Sequence, residues 1–360
     1  AIFAFPSCSS VGAGAFVSNI NIISIDFPIL SSVASYMFMS CSRLTTVSLP
    51  MCRTIGDYAF YGCRSLTAIS LPSCTKISAF AFTSCSYLTE ISLPNCTSIE
   101  SRAFNECSSL TAISLPSCTT IGSYAFFSDR SLSTIYLPLC SSIGDYAFTN
   151  CSALTSVNIS KCSTFNYGIF QNCIALSTAS LPSCTTLGSS VFSGCVALTT
   201  ISLSKCTLVG SYAFWRCTTL STVSLPSCET ISGSAFAGCR ALTTIYLPFC
   251  ETIGGYAFSG CSALTTVSLP KCYTILAFAF YSCITLLSVY LLGSSVAGLA
   301  NNTVFNGTPI SNNTTATGGI HGSIYVRESL YNSYIAATNW SYYSSRIVSL
   351  TDAEIEALGF

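Results

Sequence analysis

Charged residues are scarce in this sequence. Only 7% of its 360 residues are charged, and 13 basic residues balance 13 acidic ones, so that the formal net charge is zero. The lysines Lys76, Lys161, Lys205 and Lys271 lie far apart along the chain. Nucleic acids are bound largely through clustered Lys and Arg side chains, and anionic membrane surfaces attract the same clusters. The composition therefore argues against a nucleic-acid partner and against electrostatic adsorption to a membrane.

Residues typical of catalysis and cofactor binding are also rare. His321 is the only histidine, and no positioned partner for general acid–base chemistry is evident beside it. The sequence contains no GxxxxGK or GxGxxG phosphate-binding motif. Glu229 and Glu251 stand 22 residues apart; they are explained as solvated turn residues better than as a cation site. We therefore predict a protein that is not an enzyme and that holds no cofactor and no metal.

No segment is predicted to cross a membrane, although the mean hydropathy is high at +0.61. The most suggestive stretch runs from residue 275 to residue 300 and contains no charged residue. Its apolar residues keep the spacing of a repeat that runs through most of the chain. A membrane-spanning helix has no reason to keep that spacing, so the stretch is interpreted as part of the repeat.

What the sequence has in abundance is a repeat of 22 residues. A clear copy is Leu44 to Ser65, LTTVSLPMCRTIGDYAFYGCRS. A leucine ladder from Leu44 to Leu286 keeps this interval. Self-similarity of this kind is the signature of stacked units that bury a core only between neighbours. Phenylalanine keeps the interval without a substitution, at Phe16, Phe38, Phe60, Phe82, Phe104, Phe126, Phe148, Phe170, Phe192, Phe214, Phe236, Phe258 and Phe280.

Each repeat is predicted to hold one strand and one turn. Val47 and Leu49 alternate with polar neighbours, as in a half-buried strand. Pro50 follows, and because proline lacks an N–H and fixes φ, it ends the strand. The stretch from Ile55 to Phe60 is too short for a full helix. We predict a turn or a short 3-10 segment there.

The repeat resembles a known family. Leu44 to Cys52 fits the pattern LxxLxLxxC, the leucine-rich repeat signature with Cys at its Asn/Cys position. Ile55 to Cys63, IGxxAFxxC, is similar to the BspA-like repeats of bacterial surface antigens, and the resemblance covers residues 3 to 291. It implies a right-handed leucine-rich repeat solenoid, with a parallel β-sheet on the concave face and turns or 3-10 segments on the convex face. It also implies an extracellular or cell-surface location.

The 23 cysteines form two ladders within the repeats. The first runs from Cys8 to Cys272 and the second from Cys41 to Cys283, with Asp129 in place of one member. Strand spacing alone would permit disulfides within a ladder, but the count is odd and no CxxC motif suggests a metal site. The first ladder lies where the family uses Asn or Cys to satisfy loop backbone groups. We predict mostly reduced, structural thiols, with a disulfide-stapled array as the alternative.

Three segments are predicted. The array of thirteen 22-residue units covers residues 1–292, a connecting loop covers 293–322, and a C-terminal cap covers 323–360. The loop is rich in Gly, Ser, Asn and Thr and contains the turn dipeptides Asn306-Gly307 and Gly318-Gly319. It is therefore expected to be loop or only partly ordered.

The last segment resembles the cap that closes BspA-like arrays. Within it we predict a strand at residues 324–326, a helix from Ser329 to Trp340 and a short strand at Ile347-Val348. Thr351 to Glu354 has the pattern of a capping box and is predicted to open a terminal helical turn. A small α/β cap that covers the last repeat is therefore expected.

The strand residues that do not point inward form the predicted binding surface, because solenoids commonly bind on their concave face. In this chain that face is mostly Ser and Thr. Tyrosine is favoured at protein and sugar contacts, although a tyrosine in a strand also packs on its neighbours. The candidate binding residues are those that interrupt the small hydroxyl residues: Tyr136, Tyr246, Tyr290, Glu90 and Asn158.

Taken together, these features favour a non-catalytic binding or adhesion module of a bacterial cell surface. Its expected partner is a protein or a glycan of a host or of a neighbouring cell. The alternative is a structural spacer or display scaffold of a larger surface protein. Replacing the candidate tyrosines separates the two hypotheses, because only a binding module would lose a partner.

Overall fold

The alternating stretch of each repeat forms a short strand, and these strands pair in parallel with their counterparts 22 residues away. The pairs are in register, so that Ile25 lies beside Val47. The structure is a computed structural model that describes residues 1–311 and 321–359. The chain divides into two units, Ala1–Ser183 and Cys184–Phe360, and each is a solenoid of stacked coils. This confirms the predicted repeat solenoid.

We call the strands of this series the long strands. Seven of the sixteen have a buried central residue between two exposed ones, which is the pattern of a half-buried strand. In the first unit they are Ile2–Ala4, Ser24–Asp26, Thr46–Ser48, Ala68–Ser70, Glu90–Ser92, Ala112–Ser114, Thr134–Tyr136, Ser156–Asn158 and Thr178–Ser180. In the second unit they are Thr200–Ser202, Thr222–Ser224, Thr244–Tyr246, Thr266–Ser268, Ser288–Leu291, Ser323–Arg327 and Ile347–Leu350.

A second series, the short strands, follows the long strands after the proline turn. In the first unit they are Ser32–Val33, Thr54–Ile55, Lys76–Ile77, Ser98–Ile99, Thr120–Ile121, Ser142–Ile143 and Thr164–Phe165. In the second unit they are Thr186–Leu187, Leu208–Val209, Thr230–Ile231, Thr252–Ile253, Thr274–Ile275 and Gly298–Leu299.

The short strands correct one detail of the sequence interpretation. Ile55, predicted to begin a turn or 3-10 segment, lies in a strand, and turn residues follow only from position 57 to 62. The reason is that neighbouring coils offer backbone partners at this point. Thr54 pairs in parallel with Ser32 on one side and with Lys76 on the other.

Phenylalanine rings form a continuous column in the core of each unit, as predicted. In the first unit, successive rings from Phe16 to Phe170 stack with centroids 5.1–5.7 Å apart. In the second unit, the centroids from Phe192 to Phe280 are 5.0–5.5 Å apart. These distances are close to the spacing of paired strands, about 4.8 Å. One ring per coil therefore fills the core.

Stacking continues in the second unit after the sequence period has ended. The short strand Gly298–Leu299 pairs with Thr274–Ile275, and the ring of Phe305 stacks on Phe280 at 5.4 Å. Part of the predicted loop at 293–322 thus has repeat-like structure. The predicted turn Gly318-Gly319 lies outside the described residues, and the predicted segment boundaries stay predictions.

The C-terminal segment extends the sheet of the second unit. Ser323–Arg327 pairs with Ser288–Leu291, and Ile347–Leu350 pairs with Ser323–Arg327. Both strands were predicted from the sequence. The helices of this segment are the 3-10 helix Glu328–Leu330, the α-helix α1 Tyr331–Ala336, the 3-10 helix Ser341–Arg346 and the α-helix α2 Asp352–Ala357.

The helix predicted from Ser329 to Trp340 is interrupted after Ala336. The cause lies in the preceding coil, where the backbone of Ala297 takes two partners. Its N–H donates to the Tyr334 hydroxyl oxygen at 3.1 Å, and its carbonyl accepts from Trp340 Nε1 at 2.5 Å. A continuous helix would not bring both side chains to one residue. The predicted capping box at Thr351 and Glu354 is confirmed as the start of α2.

None of the 23 cysteines, which all lie in the described part of the chain, forms a disulfide, and all except Cys8 are buried. In the first ladder, Cys52 Sγ donates to the carbonyl oxygen of Thr54 at 3.2 Å, which confirms the predicted role in satisfying loop backbone groups. In the second ladder, Cys63 Sγ donates at 3.1 Å to the carbonyl oxygen of Phe38 in the preceding coil. The second ladder therefore links coils as well as filling space.

The thiols are expected to be unreactive in the folded protein. Burial raises the pKa of Cys63 well above its usual value and that of Cys74 to about 12, and only the thiolate reacts. At pH 8 we expect a thiol reagent to modify Cys8 quickly. Cys206 should follow slowly, because a hydrogen bond with Cys184 lowers its pKa. Mass spectrometry of the native protein would measure this order.

The control for this prediction is the unfolded protein without reductant. There we expect nearly all 23 thiols to react, because unfolding removes the burial that raises their pKa values. If most thiols stayed blocked until a reductant was added, the array would be disulfide-linked and the prediction would be wrong.

One rung of the second ladder is a carboxylic acid. Asp129 is fully buried, and neither carboxylate oxygen has a hydrogen-bond partner among the described residues. Burial raises the pKa of this carboxyl well above its usual range, and the charge of Glu106 raises it further. The Cys107 amide lowers it in part, but that N–H already donates to the Phe104 carbonyl oxygen. The neutral acid is therefore the favoured form inside the fold.

Candidate functional site

Three of the predicted binding residues lie on the long-strand face of the first unit. Glu90, Tyr136 and Asn158 are exposed, and 57% of Tyr136 is accessible to solvent. Alternation along the strand places the first and third residues of each long strand on the solvent side. Tyr136 pairs with Ser114 in the neighbouring strand, so that the ring stands above smaller side chains.

Tyr136 and Asn158 come together, whereas Glu90 lies apart from them. Tyr136 and Asn158 hold the third position of successive long strands, which contact each other although they belong to separate hydrogen-bonded sheets. Glu90 holds the first position of its strand, two coils before Tyr136. It pairs with Ala68, and this small neighbour leaves a shallow groove of about 370 Å³ beside the carboxylate.

The two tyrosines of the second unit differ from each other. Tyr246 is 55% exposed. The ring of Tyr290 is partly buried and stacks on Tyr325 with centroids 4.7 Å apart, and both rings pack against a cluster that contains Leu292 and Leu350. These contacts give Tyr290 a packing role in the C-terminal segment, and they leave Tyr246 as the exposed ring of this face.

Tyr246 also lines a cleft that the sequence did not suggest. The cleft has a volume of about 660 Å³, within the range of about 300–1,000 Å³ typical of ligand sites. We call it the junction cleft, because long strands of the second unit meet the C-terminal segment there. Its main lining residues are Tyr246, Phe249, Pro270, Lys271, Gly293 and Arg327.

Phe249, Lys271 and Gly293 follow one another in the cleft at intervals of one repeat. Lys271 Nζ lies 4.3 Å from the centroid of the Phe249 ring, a cation–π distance. Gly293 adds no side chain beyond the ammonium. A Cβ atom there would lie 2.8 Å from the carbonyl oxygen of Pro270, so that the backbones approach too closely for another residue. Along this row the cleft therefore presents the Phe249 ring, the Lys271 ammonium and, at Gly293, a space without a side chain.

The second cation of the cleft is held rigidly. Arg327 Nε donates to the carbonyl oxygen of Leu292 at 2.8 Å, and its Nη1 donates to Asp352 Oδ1 at 2.5 Å. The Asp352 carboxylate is largely exposed and is not part of the cleft lining. These bonds orient the guanidinium and leave further N–H donors on it for a ligand.

A second aromatic feature, which sequence reasoning missed, lies on the turns of the first unit. Neighbouring rings stack with centroids 4.6–5.2 Å apart, and Arg102 lies between two rings at 5.4 and 4.8 Å. Because the rings face one another, their faces are closed to a sugar. The 22-residue period would have revealed the members: Tyr36, Tyr58, Phe80, Arg102, Tyr124 and Tyr146.

Residues whose side chains could act in catalysis or bind a metal either have structural partners or lie apart from one another. Asp57 Oδ1 accepts a hydrogen bond from the Ala79 N–H at 3.1 Å, and His321 is exposed. Within residues 1–311 and 321–359, no three His, Cys, Asp or Glu side chains are grouped so that they would hold a metal ion. In the same part of the chain, no helix combines the length and the apolar character needed to span a membrane.

The stacked coils, with a parallel long strand that carries the leucine-rich signature and a short strand after it, define a leucine-rich repeat protein. The sequence profile of the BspA type leucine-rich repeat region matches residues 9–133, 75–199 and 185–311. Because these matches cover most of the chain, the protein belongs to the BspA-type leucine-rich repeat family. The matched family is one of repeat proteins, which are generally non-catalytic. A role in protein interaction or as a scaffold follows from membership of this family.

Solved structures of bacterial leucine-rich repeat proteins are similar to the chain. A leucine-rich repeat protein from Bacteroides ovatus is 25% identical, with a TM-score of 0.71, and the match covers 83% of this chain and 82% of that one. A leucine-rich cell surface protein from Faecalibacterium prausnitzii is 22% identical, with a TM-score of 0.45 and coverage of 82% and 88%. A leucine-rich repeat protein from T. pallidum is 32% identical, with a TM-score of 0.39 and coverage of 48% and 81%. No curated protein matches the chain.

Proposed function

We propose that the protein is a non-catalytic binding or adhesion module of a bacterial cell surface, and that its long-strand face holds a protein or glycan partner. The observation that carries the proposal is the exposure of Tyr136 and Tyr246 on a face of small hydroxyl residues. An exposed ring with a polar tip is a typical anchor for a partner. The resemblance to bacterial surface antigens supports the cell-surface location.

Substitution of the two tyrosines tests the proposal. Tyr136→Ser and Tyr246→Ser are expected to weaken binding of a partner, found in a screen of glycans and host proteins, by about tenfold or more each. The melting temperature should not change, because Ser is the usual residue at this strand position and surface substitutions have small effects on stability. Binding would be measured by surface plasmon resonance and melting by circular dichroism.

Two matched controls come from the same position of the repeat. Ser180→Ala and Ser202→Ala, two coils away from Tyr136 and Tyr246 respectively, remove an exposed hydroxyl and should leave binding and melting unchanged. The regular Ser and Thr face favours the second candidate function, a structural spacer. A broad screen without any partner, or a partner that both tyrosine variants bind as well as the native protein does, would support the spacer and contradict the binding module.

A further inference from the structure

We propose that the junction cleft binds a carboxylate-bearing sugar of an acidic glycan. The inference rests on the proposed function and assigns a ligand class to one part of the long-strand face. It starts from the combination of side chains that the cleft brings together: exposed aromatic rings, hydroxyl groups and two cations.

Charge is the first argument. Lys271 and Arg327 line the cleft, and no carboxylate of the described residues does. Arg327 is paired with Asp352 outside the lining, so that Lys271 supplies the positive charge that has no ion-pair partner in the described part of the chain. This local excess is notable in a chain with only 13 basic residues among 360 and no net charge. A carboxylate forms short, strong hydrogen bonds with ammonium and guanidinium groups. The Phe249 ring holds the Lys271 ammonium from one side. The lysine side chain therefore loses less conformational freedom when it binds an anion, which lowers the entropic cost of binding.

The uncharged part of the cleft favours a sugar. Tyr246 and Phe249 are 55% and 48% exposed, which gives the apolar face of a sugar ring a surface to pack on. Ser294 and Ser329, also in the lining, offer hydroxyl groups that both donate and accept hydrogen bonds. Sugar hydroxyls need partners of this kind along their polar edges.

The sheet beside the cleft disfavours an extended acidic peptide. Such a peptide commonly binds by adding a strand to an unpaired sheet edge. The long strand Thr266–Ser268 is already paired on both sides, with Thr244–Tyr246 and Ser288–Leu291. Ser288–Leu291 is in turn paired with Ser323–Arg327. Thr244–Tyr246 is the last hydrogen-bonded strand of this sheet, but the preceding coil covers its other side through Thr222–Ser224. There is thus little room to add a strand next to the cleft, and recognition is left to side chains.

The probe for the test is a short oligogalacturonate, with its methyl ester as the matched uncharged probe. By isothermal titration calorimetry, the full chain is expected to bind the acid and not the ester. Lys271→Ala should weaken binding of the acid by at least about tenfold, the usual effect of losing a hydrogen bond between charged groups. Added salt should weaken binding as well, because it screens exposed charges.

Lys205→Ala is the control variant. Lys205 holds the same repeat position three coils before Lys271 in the second unit, and it is exposed and outside the cleft. Its loss changes the net charge equally and should leave the affinity unchanged. A second variant, Phe249→Leu, removes the ring but keeps an apolar side chain, and it should also weaken binding while the melting temperature stays the same.

Several results would overturn the inference. These are equal binding of the acid and its ester, equal effects of Lys271→Ala and Lys205→Ala, and no binding of the acid by the native chain. A Glu-rich peptide of matched charge that binds more tightly than the sugar would overturn the assignment to a glycan. The proposed function would survive each of these, provided that another partner is lost in Tyr136→Ser.

Discussion

Replacing Phe104 by alanine is expected to lower the free energy of unfolding by about 3–5 kcal/mol. The ring is fully buried between Phe82 and Phe126, with centroids 5.2 Å from each. Its coil is also fixed on both sides by backbone hydrogen bonds, from Phe104 N to the Ala125 carbonyl and from Phe82 N to the Ala103 carbonyl. Neighbouring coils therefore cannot collapse into the space that the ring leaves.

Urea unfolding monitored by circular dichroism would measure this loss. The matched control is Phe80→Ala, a turn residue that is only half buried and stacks on Tyr58 at 4.6 Å. It is expected to lose about 1 kcal/mol, the size of an aromatic pair contact. Equal losses in the two variants would contradict the view that the internal column carries most of the stability.

Replacing Asp129 by cysteine should have the opposite effect. We expect the free energy of unfolding at neutral pH to rise by about 1–3 kcal/mol, the usual penalty for a buried polar group without a partner. The thiols of Cys107 and Cys151, one coil before and after, donate to the carbonyl oxygens of Phe82 and Phe126 at 3.1 Å. A cysteine at position 129 would complete this ladder with a donor of the right size.

The effect should depend on pH, because the folded state holds a proton that the unfolded state releases. Unfolded Asp129 has its ordinary pKa of 3.8, and burial raises the folded pKa well above it. The contribution of the neutral acid is thus fully present below the unfolded pKa and is lost as pH rises towards the folded pKa. The advantage of Asp129→Cys should be smaller near pH 4, where only the missing hydrogen bonds of the neutral acid count, than near pH 7, where the cost of taking up the proton on folding is added.

Urea titrations of both proteins at the two pH values would measure this difference, with Asp145→Asn as a control. Asp145 is not fully buried, and its Oδ1 accepts from the Tyr167 N–H, a bond that the asparagine carbonyl can keep. Its substitution should not produce the same pH dependence. An advantage of Asp129→Cys that is the same at both pH values would show that the carboxyl does not take up a proton on folding, and would contradict the raised pKa.

Much of the fold could be predicted because the same short pattern decides the same local structure in every repeat. Alternation around Val47 is enough to predict a strand, and a phenylalanine every 22 residues is enough to predict a column. The capping box at Thr351 was also predictable, since both of its partners lie within one helical turn. These features depend on neighbours in sequence or on identical residues in adjacent coils.

The candidate site was predictable only in part. The exposure of Tyr136 and Tyr246 follows from strand alternation. The packing of Tyr290 depends on Tyr325, which belongs to a segment without the repeat period. In the same way, the cleft beside Tyr246 is lined by Arg327 as well as Lys271, and the folding of the C-terminal segment sets the position of Arg327.

The sequence by itself determined the repeat, its register, the inward-facing residues and the family. Each of these follows from the residue pattern of a single coil, and that pattern recurs along the chain. Only the tertiary structure decided the short strand at Ile55, the end of α1 at Ala336 and the junction cleft. It also decided that the Asp129 carboxylate has no hydrogen-bond partner among the described residues. Each of these depends on which backbone or side-chain groups a different coil, or the C-terminal segment, brings within reach. Such long-range neighbours are not encoded in a local pattern.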